Sequence, residues 1–486
     1  MKRIKLLASG ALIISLIAIA VGASFLMAST TATRPSKTYN DYMTDGDLYL
    51  ENGEYFKAIV SYENALTERT DSIDALQGLA STYYRQMNRE KETEVRNQIA
   101  EKDPSNLDNQ VRLVELMINE GSLDEAKERT QELMASNDSD SLRSLYSEME
   151  IATPVFNLSS GSYADYQLLQ LTNAYNNAIV RYTTDGSEPN TSSQSYIDGI
   201  VISYPETVIR AKAFGSLGYT SDEVSLNFSI TKPAEIVNSR NSYGGNYSDT
   251  LYRITSSVLN KSWNSDVYNY EMAQIRELYI LGGYNVESEP MSVSFYSDYY
   301  KRYDSRYTEH GNFDLTFAAY TPFLKTLSVG YQTSLDLSPL ASLSYIEDLS
   351  LLNNGITDIS ALSGLTSLRR LALGWNDISD VAALSNLTGL ESLGLWNNQV
   401  ANIDALHGLS NLTYFDVAYN NISNLGVVSG MPELNELWIN NNQISDISPV
   451  SGNQKLMVLM QCGNPISNYD ALTDIKPQLY KTDLEG

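Results

Sequence analysis

The stretch LRRLALGWNDISDVAALSNLTGLESLGLWNNQV, residues 368–400, decides the fold because it repeats its own pattern after 22 residues. Three apolar positions and one asparagine carry the pattern: Leu368, Leu371, Leu373 and Asn376 return as Leu390, Leu393, Leu395 and Asn398. The two apolar positions separated by one residue point to the same side of a short strand. A fixed period of this length predicts a solenoid, in which each repeat buries its apolar face against its neighbours.

The same pattern runs through at least residues 324–474, in seven copies. The first apolar position of each copy falls at Leu324, Ile346, Leu368, Leu390, Leu412, Leu434 and Leu456. The asparagine falls at Asn354, Asn376, Asn398, Asn420, Asn442 and Asn464, with Gln332 in the first copy. A side-chain amide donates and accepts hydrogen bonds, so stacked asparagines can satisfy buried backbone groups at each turn. We therefore predict that these asparagines are structural.

The repeat resembles the internalin-type leucine-rich repeats of bacteria, for instance in Asn376-Asp-Ile-Ser-Asp-Val and Asn442-Gln-Ile-Ser-Asp-Ile. The resemblance implies a leucine-rich-repeat solenoid that binds a partner on its concave face. We predict that this domain covers residues 233–486. It would include one more strand at Ile275, Leu278 and Ile280, a Tyr-rich irregular repeat over 284–322, and a helical N-terminal cap near 250–270. Gln461 breaks the apolar pattern and, together with the polar tail after Asp470, suggests a terminating repeat.

Residues 38–151 follow a different pattern, typical of paired helices. The aromatic and small residues that carry it are Tyr42, Gly46, Tyr49, Gly53, Tyr55, Ala58, Tyr62 and Ala65. This pattern resembles the tetratricopeptide repeat, in which small residues let two helices pack closely. A second copy 34 residues later is weaker, because Glu92 replaces the expected alanine. We predict three helix pairs and a terminal helix; the resemblance implies a protein-binding scaffold, and a stalk or dimer surface is the alternative.

Residues 152–232 change to strand composition. The run Ala178-Ile-Val-Arg-Tyr-Thr-Thr-Asp-Gly predicts a strand that enters an Asp-Gly turn, and a second alternating run follows at 208–214. This stretch resembles the chitobiase/β-hexosaminidase C-terminal domain, which implies a small all-β sandwich without the glycosidase carboxylates. Asp185 and Glu188 are interpreted as turn formers. The resemblance leaves two roles open, a spacer or a module that contacts glycans.

The N-terminal segment, residues 1–37, is interpreted as a membrane anchor or signal. Lys2, Arg3 and Lys5 precede an uncharged stretch over 6–28, which as a helix would be about 35 Å long and exceed the roughly 30 Å membrane core. The sequence therefore predicts an N-terminal transmembrane helix and a single-pass cell-membrane protein with an extracellular C-terminal region. Small residues at 28–32 leave secretion after signal cleavage as the alternative.

Composition excludes several classes of function. The formal net charge is −26, and a strongly acidic surface repels nucleic acid. A single cysteine, Cys462, permits no internal disulfide, and the two histidines, His310 and His407, lie far apart in the sequence. No hydrolase elbow, phosphate loop, zinc motif or dinucleotide fingerprint is present, so we predict neither catalysis nor a cofactor or metal.

The candidate ligand-binding residues flank the buried pair of each strand and should point out of the concave face. They are Arg370, Trp396, Tyr414, Asp416, Glu436 and Trp438, with Trp375 and Tyr419 at the strand edge. Because tryptophan is normally buried, exposed indoles on consecutive turns suggest a surface that binds a partner. The alternative is that adjacent aromatic side chains only stack on one another along the sheet. Two functions follow: a cell-surface binding protein or adhesin for a protein partner, or a polysaccharide-binding protein that uses the sandwich and the concave aromatics.

Overall fold

The structure is a computed structural model that describes residues 37–137, 139–173, 177–238, 258–261, 265–281, 315–332 and 334–483. These residues form two compact units. The first unit contains the residues up to 150 together with 215–219, and the second contains 151–214 and the residues from 220 onward. His310 and most of the predicted cap helix and Tyr-rich insertion lie outside the described residues.

The described residues of the first unit form seven helices: α1 (Tyr39–Glu51), α2 (Tyr55–Glu68), α3 (Ile73–Arg85), α4 (Arg89–Lys102), α5 (Leu107–Glu120), α6 (Leu123–Ser136) and α7 (Asp140–Met149). The prediction of three helix pairs and a terminal helix is confirmed. Gly46 shows why a small residue is needed, because a methyl group there would lie 2.6 Å from Cε1 of Tyr62. Glu92, the departure from the pattern, is buried and forms ion pairs with Arg96 and Arg112.

The second unit begins with a small β-sandwich. Its strands are β1 (Gly161–Tyr163), β2 (Gln167–Leu169), β3 (Ala178–Thr183), β4 (Gln194–Ser195), β5 (Ile200–Ile202), β6 (Glu206–Gly215) and β7 (Val224–Ile230). They form one sheet in the order β1-β7-β6-β3-β4 and a second of β2 and β5. Both predicted strands, β3 and β6, are confirmed. Asp185 is a turn former as predicted, since its Oδ1 accepts a hydrogen bond from the Ser187 backbone N–H at 3.0 Å.

Residues 231–276 connect the sandwich to the solenoid. Where the structure describes them, they form β8 (Ile236–Asn238), β9 (Val267–Tyr268) and the single-turn helix α8 (Asn269–Met272). The solenoid itself is a nine-stranded parallel sheet in sequence order. Its strands are β10 (Glu277–Leu281), β11 (Thr326–Gly330), β12 (Asp348–Ser350), β13 (Arg370–Ala372), β14 (Ser392–Gly394), β15 (Tyr414–Asp416), β16 (Glu436–Trp438), β17 (Val458–Met460) and β18 (Lys481–Thr482). Short 3-10 helices form the opposite side of most repeats, for instance at Ala382–Leu384.

The register of the sheet shows which sequence predictions hold. Leu278 pairs with Leu327, so the predicted upstream strand is confirmed as β10. The terminating repeat predicted from Gln461 contains one more parallel strand, β18, which pairs with β17. This extra strand has no apolar pattern; it is held by backbone pairing and by Asp483, which accepts hydrogen bonds from the backbone N–H groups of Gln461 and Cys462.

The asparagine ladder is present as predicted. Nδ2 of Asn398 donates to the carbonyl oxygens of Leu373 and Leu395, both at 2.9 Å. Its Oδ1 accepts a hydrogen bond from the backbone N–H of Ile378 at 3.0 Å. One amide therefore joins two successive turns and satisfies backbone groups of both.

We expect Asn398→Ala to lower the free energy of unfolding by about 1–3 kcal/mol, because it leaves several backbone groups without partners. Chemical denaturation of the two proteins measures this difference. Gln399→Ala is the matched control, since Gln399 is exposed and hydrogen-bonds another side chain, that of Asp377. Equal loss in both variants would contradict a special role for the ladder.

The sandwich packs directly on the first turns of the solenoid. Ala273 and Phe323 belong to the apolar core of the sandwich. Asp198 of the sandwich forms ion pairs with Arg276 at 3.1 Å and with Lys325 at 2.6 Å. The two modules are thus joined by a packed boundary.

The prediction of a membrane-spanning helix is corrected by the structure. Among the described residues, no helix is both long and apolar enough to cross a bilayer. The longest helices of the helical unit have 14 residues, or about 21 Å, which is shorter than the roughly 30 Å hydrocarbon core. The segment 6–28, on which the single-pass cell-membrane location was based, lies outside the described residues.

Candidate binding surface

Strand register determines which candidate residues become neighbours on the open face of the solenoid sheet, the face expected to be concave. Register partners form two rows: Gly394, Asp416 and Trp438 in one, and Ser392, Tyr414 and Glu436 in the other. Adjacent strands in a sheet lie about 4.8 Å apart. Residues of β15 and β16 therefore form one continuous surface, to which Trp396 is added from the end of β14. We call Trp396, Tyr414, Asp416, Glu436 and Trp438 the acidic aromatic patch.

Trp396 is fixed on this surface by two glycines. A methyl group at Gly374 would lie 2.6 Å from Cζ2 of Trp396, and one at Gly394 would lie 2.9 Å from Cε3. The indole therefore lies against the backbone of β14 at Gly394 and of the segment after β13 at Gly374, in a space that a larger residue at either position would fill. Because Gly394 is the register partner of Asp416, this ring extends to one side of the Asp416 carboxylate, and Trp438 lies on the other.

Asp416 is the electrostatic centre of the patch. Its Oδ2 accepts a hydrogen bond from Tyr414 Oη at 3.2 Å, and its Oδ1 accepts one from the backbone N–H of Ala418 at 3.0 Å. Burial raises the pKa of Asp416 from the ordinary 3.8 to about 6. Burial, and then the negative charge of Asp416, also raise the pKa of Tyr414. Within the described part of the chain, no basic side chain forms an ion pair with Asp416 or Glu436.

Trp438 already contacts a cation of the same chain. Lys481 Nζ lies 4.8 Å from the centre of the Trp438 ring system, a cation–π distance. Trp438 Nε1 lies 3.5 Å from Glu436 Oε2, at the outer limit of a hydrogen bond. The indole face and the neighbouring carboxylate are thus both suited to a positive group.

The other three candidate residues lie apart from the patch. Arg370 is paired with Asp348 of the adjacent strand, with Nη2 2.6 Å from Oδ2, and Ser392 separates it from Tyr414. Trp375 and Tyr419 are exposed residues of the turns that follow the strands, and both have a positive φ. The eight predicted residues therefore divide into a five-residue patch, an ion-paired arginine and two turn aromatics.

Several residues of the surface were missed by sequence reasoning. Gly374 and Gly394 could have been found, because Gly374 occupies the position of Trp396 one repeat earlier and Gly394 precedes Trp396 by two residues. Lys481 had no signal, because it lies beyond the last recognisable copy of the pattern. Asn440, whose buried Oδ1 has no hydrogen-bond partner among the described residues, follows Trp438 by two positions and was also missed.

We expect the stability of the protein to depend on pH through Asp416. Folding raises the pKa of this carboxyl, so its contribution to stability is fully present below about pH 4 and is lost as the pH rises through about 6. Asp416→Asn should therefore be more stable than the wild type at pH 7.5, by about 1–3 kcal/mol, and nearly equal to it at pH 4.

Denaturation of both proteins at the two pH values measures this effect. Asp358→Asn is the control, because hydrogen bonds from Ser360 lower the pKa of Asp358, which is the opposite direction. That variant should gain no stability at pH 7.5. If the wild type is as stable as Asp416→Asn at pH 7.5, ionised Asp416 does not destabilise the fold and the prediction is wrong.

Comparison with known proteins agrees with this architecture. Residues 158–225 match the model of the chitobiase/beta-hexosaminidase C-terminal domain. Residues 364–385, 388–430 and 410–452 match leucine-rich-repeat models. The chain therefore contains leucine-rich repeats and a domain of the chitobiase C-terminal type. No curated protein matches the sequence.

Solved structures similar to the chain include two internalins of Listeria monocytogenes and a leucine-rich-repeat protein of Leptospira interrogans. Internalin C2 is 24% identical, with a TM-score of 0.39, and the match covers 48% of this chain and 92% of that one. Internalin F is 20% identical, with a TM-score of 0.26 and coverages of 49% and 96%. The Leptospira protein is 21% identical, with a TM-score of 0.30 and coverages of 34% and 50%.

Proposed function

We propose that the chain is a surface or secreted binding protein that recognises a protein partner through the acidic aromatic patch. The partner would present a basic side chain, arginine or lysine, between the indoles of Trp396 and Trp438. The single observation that carries this proposal is the half-buried Asp416 carboxylate, which forms no ion pair among the described residues. Its register partners on the adjacent strands are Gly394, against which the Trp396 ring lies, and Trp438.

The physical basis is the cost of an uncompensated buried charge. Burial disfavours the ionised form of Asp416, and an incoming cation would remove that penalty. Indole faces attract cations through their quadrupole, more strongly once water is excluded. A basic side chain would therefore gain from the two aromatic rings and from the two carboxylates together. Central, desolvated aromatic residues are also the usual energetic centre of protein interfaces.

Other functions fit this surface less well. Sugar binding by the same patch would leave two carboxylates without a positive partner, so a neutral polysaccharide is the weaker candidate there. The helical unit, whose resemblance to tetratricopeptide repeats implies protein binding, stays a second candidate surface for another partner.

Selection from a random peptide display library on the immobilised full chain tests the proposal. Peptides retained by the wild type should be enriched in arginine or lysine. The double variant Asp416→Asn, Glu436→Gln should not retain them, whereas Arg370→Gln, which removes a charge outside the patch, should. Enrichment without basic residues, or equal retention by the double variant, would overturn the proposal.

A further inference from the structure

A second row of residues, distinct from the patch, runs along the turns that follow the strands. Its members share one position in the 22-residue repeat and a left-handed backbone: Tyr331, Asn353, Trp375, Asn397, Tyr419, Asn441 and Gly463, with φ between 54° and 76°. Each non-glycine member donates its backbone N–H to the next repeat, as Trp375 does to the Trp396 carbonyl at 2.9 Å. We call these seven residues the turn row.

The occupants of the turn row alternate between two chemical types. Asparagine and glycine are the residues that tolerate a left-handed backbone, and they fill four of the seven positions. Large aromatic residues are uncommon in this conformation, yet they occupy the other three, at every second repeat. Local backbone preference therefore does not explain Tyr331, Trp375 and Tyr419. Residues held in an unfavourable backbone conformation are concentrated at functional sites.

Trp375 and Tyr419, two of the three aromatic members of the turn row, are exposed. Trp375 is 47% exposed and Tyr419 is 54% exposed. Neither side chain makes a hydrogen bond or an aromatic-ring contact with another described residue. Two residues further along the chain lie the exposed amides Gln399, Asn421 and Gln443. In the repeat of Trp375 this position is Asp377, whose Oδ1 accepts a hydrogen bond from Gln399 Nε2 at 2.9 Å. The row itself contains no charged residue.

The spacing of the aromatic residues narrows the class of ligand. Two steps of a parallel sheet separate Trp375 from Tyr419, which is about 9.6 Å. This distance is close to the length of one disaccharide in a β-linked glycan of the cellulose or chitin type. In such a chain successive sugars are turned over, so every second ring presents the same face. Aromatic rings at every second repeat would then stack on equivalent sugar faces, with amides between them to hydrogen-bond hydroxyl or acetamido groups.

We propose that the turn row is a binding site for a neutral, linear β-linked glycan of the cellulose or chitin type, stacked on Tyr331, Trp375 and Tyr419. The absence of charge in the row favours a neutral polymer, and the net charge of −26 disfavours an anionic one. A polyproline II helix repeats about every 9.3 Å and is the competing ligand. It is less favoured, because proline-rich peptides bind in grooves between aromatic rings, whereas the turn row is a single file.

Isothermal titration calorimetry of the full chain tests the site with defined probes. Chitohexaose and cellohexaose span all three aromatic positions, whereas the corresponding disaccharides span one. At least one hexasaccharide should bind, and its disaccharide should bind at least about tenfold more weakly. Maltohexaose, whose α-linkages curve the chain, should bind no better than the disaccharides.

The matched variants replace an aromatic residue of the turn row with asparagine, which occupies the same position in other repeats. Trp375→Asn and Tyr419→Asn introduce the residue found in the intervening repeats, so the melting temperature should stay equal to that of the wild type or rise. Each variant should weaken hexasaccharide binding about tenfold or more, and Phe56→Ala, which changes an exposed residue of α2 outside the solenoid, should leave it unchanged.

Four other results would contradict a glycan-binding site at the turn row. Absence of binding by both hexasaccharides would do so, as would equal binding of hexasaccharide and disaccharide. Hexasaccharide binding that survives Trp375→Asn would belong to another surface. Binding of a proline decamer in place of the glycans would assign the row to proline-rich proteins. The acidic aromatic patch is a separate surface, so failure here leaves the proposed protein-binding function intact.

Discussion

Replacing Trp396 or Trp438 with alanine is expected to weaken binding of the selected basic peptides by about 2 kcal/mol or more for each residue. Both indoles border Asp416, so their loss opens the carboxylate to water and removes the face on which a cation would lie. The two variants should differ in stability. Trp396 covers Gly374 and Gly394, so its removal also lowers the melting temperature, whereas Trp438 packs beside an exposed lysine and should cost little.

Affinity and melting temperature, measured on the same preparations, separate the two roles. Phe56→Ala is the matched control, because Phe56 is 77% exposed on α2, outside the solenoid. It should change neither quantity appreciably. If both tryptophan variants melt at lower temperature and still bind peptide with wild-type affinity, the indoles are structural only and the recognition surface lies elsewhere.

Phe415→Ala is expected to destabilise the solenoid by about 3–5 kcal/mol, the largest effect we expect on stability. Phe415 lies between Tyr414 and Asp416 in the chain and is fully buried, directly beneath the acidic aromatic patch. Its removal leaves a cavity between two neighbouring turns that the parallel sheet holds at a fixed spacing.

Phe415→Leu is the natural control, because Leu393 and Leu437 occupy the same position in the adjacent repeats. That substitution should cost about 1 kcal/mol. Chemical denaturation of the three proteins measures both differences. Similar losses for alanine and leucine would indicate that the turns do not need a large residue at this position.

The repeat period made most of the solenoid predictable. Leucine positions separated by one residue determine the register, and the register determines which side chains share the open face. The asparagine ladder followed from the same periodicity, since one amide per turn can satisfy two sets of backbone groups. The last strand could not be predicted, because β18 depends on backbone pairing and on Asp483 instead of apolar side chains. The prediction of an N-terminal transmembrane helix rested on the uncharged run over 6–28 behind three basic residues, and it was wrong, since no helix of the described residues is long and apolar enough to cross a bilayer.

The sequence identified the positions of the candidate residues, but it did not show how their side chains are grouped on the surface. Counting residues outward from each buried pair identified Trp396, Tyr414, Asp416, Glu436 and Trp438. It did not show that Arg370 is neutralised by Asp348, because ion pairing depends on side-chain direction across strands. It also did not separate Trp375 and Tyr419 from the others. That separation depends on a left-handed backbone, which asparagines at 353, 397 and 441 indicate only once the repeats are aligned.

A double-mutant cycle between the patch and a basic peptide tests the central claim most directly. The peptide selected on the wild type and its analogue with citrulline in place of arginine, or norleucine in place of lysine, are each titrated into the wild type and Asp416→Asn. If the basic side chain lies against Asp416, the two changes should be coupled by about 1 kcal/mol or more. Additive losses, with no coupling between the carboxylate and the cation, would contradict the account.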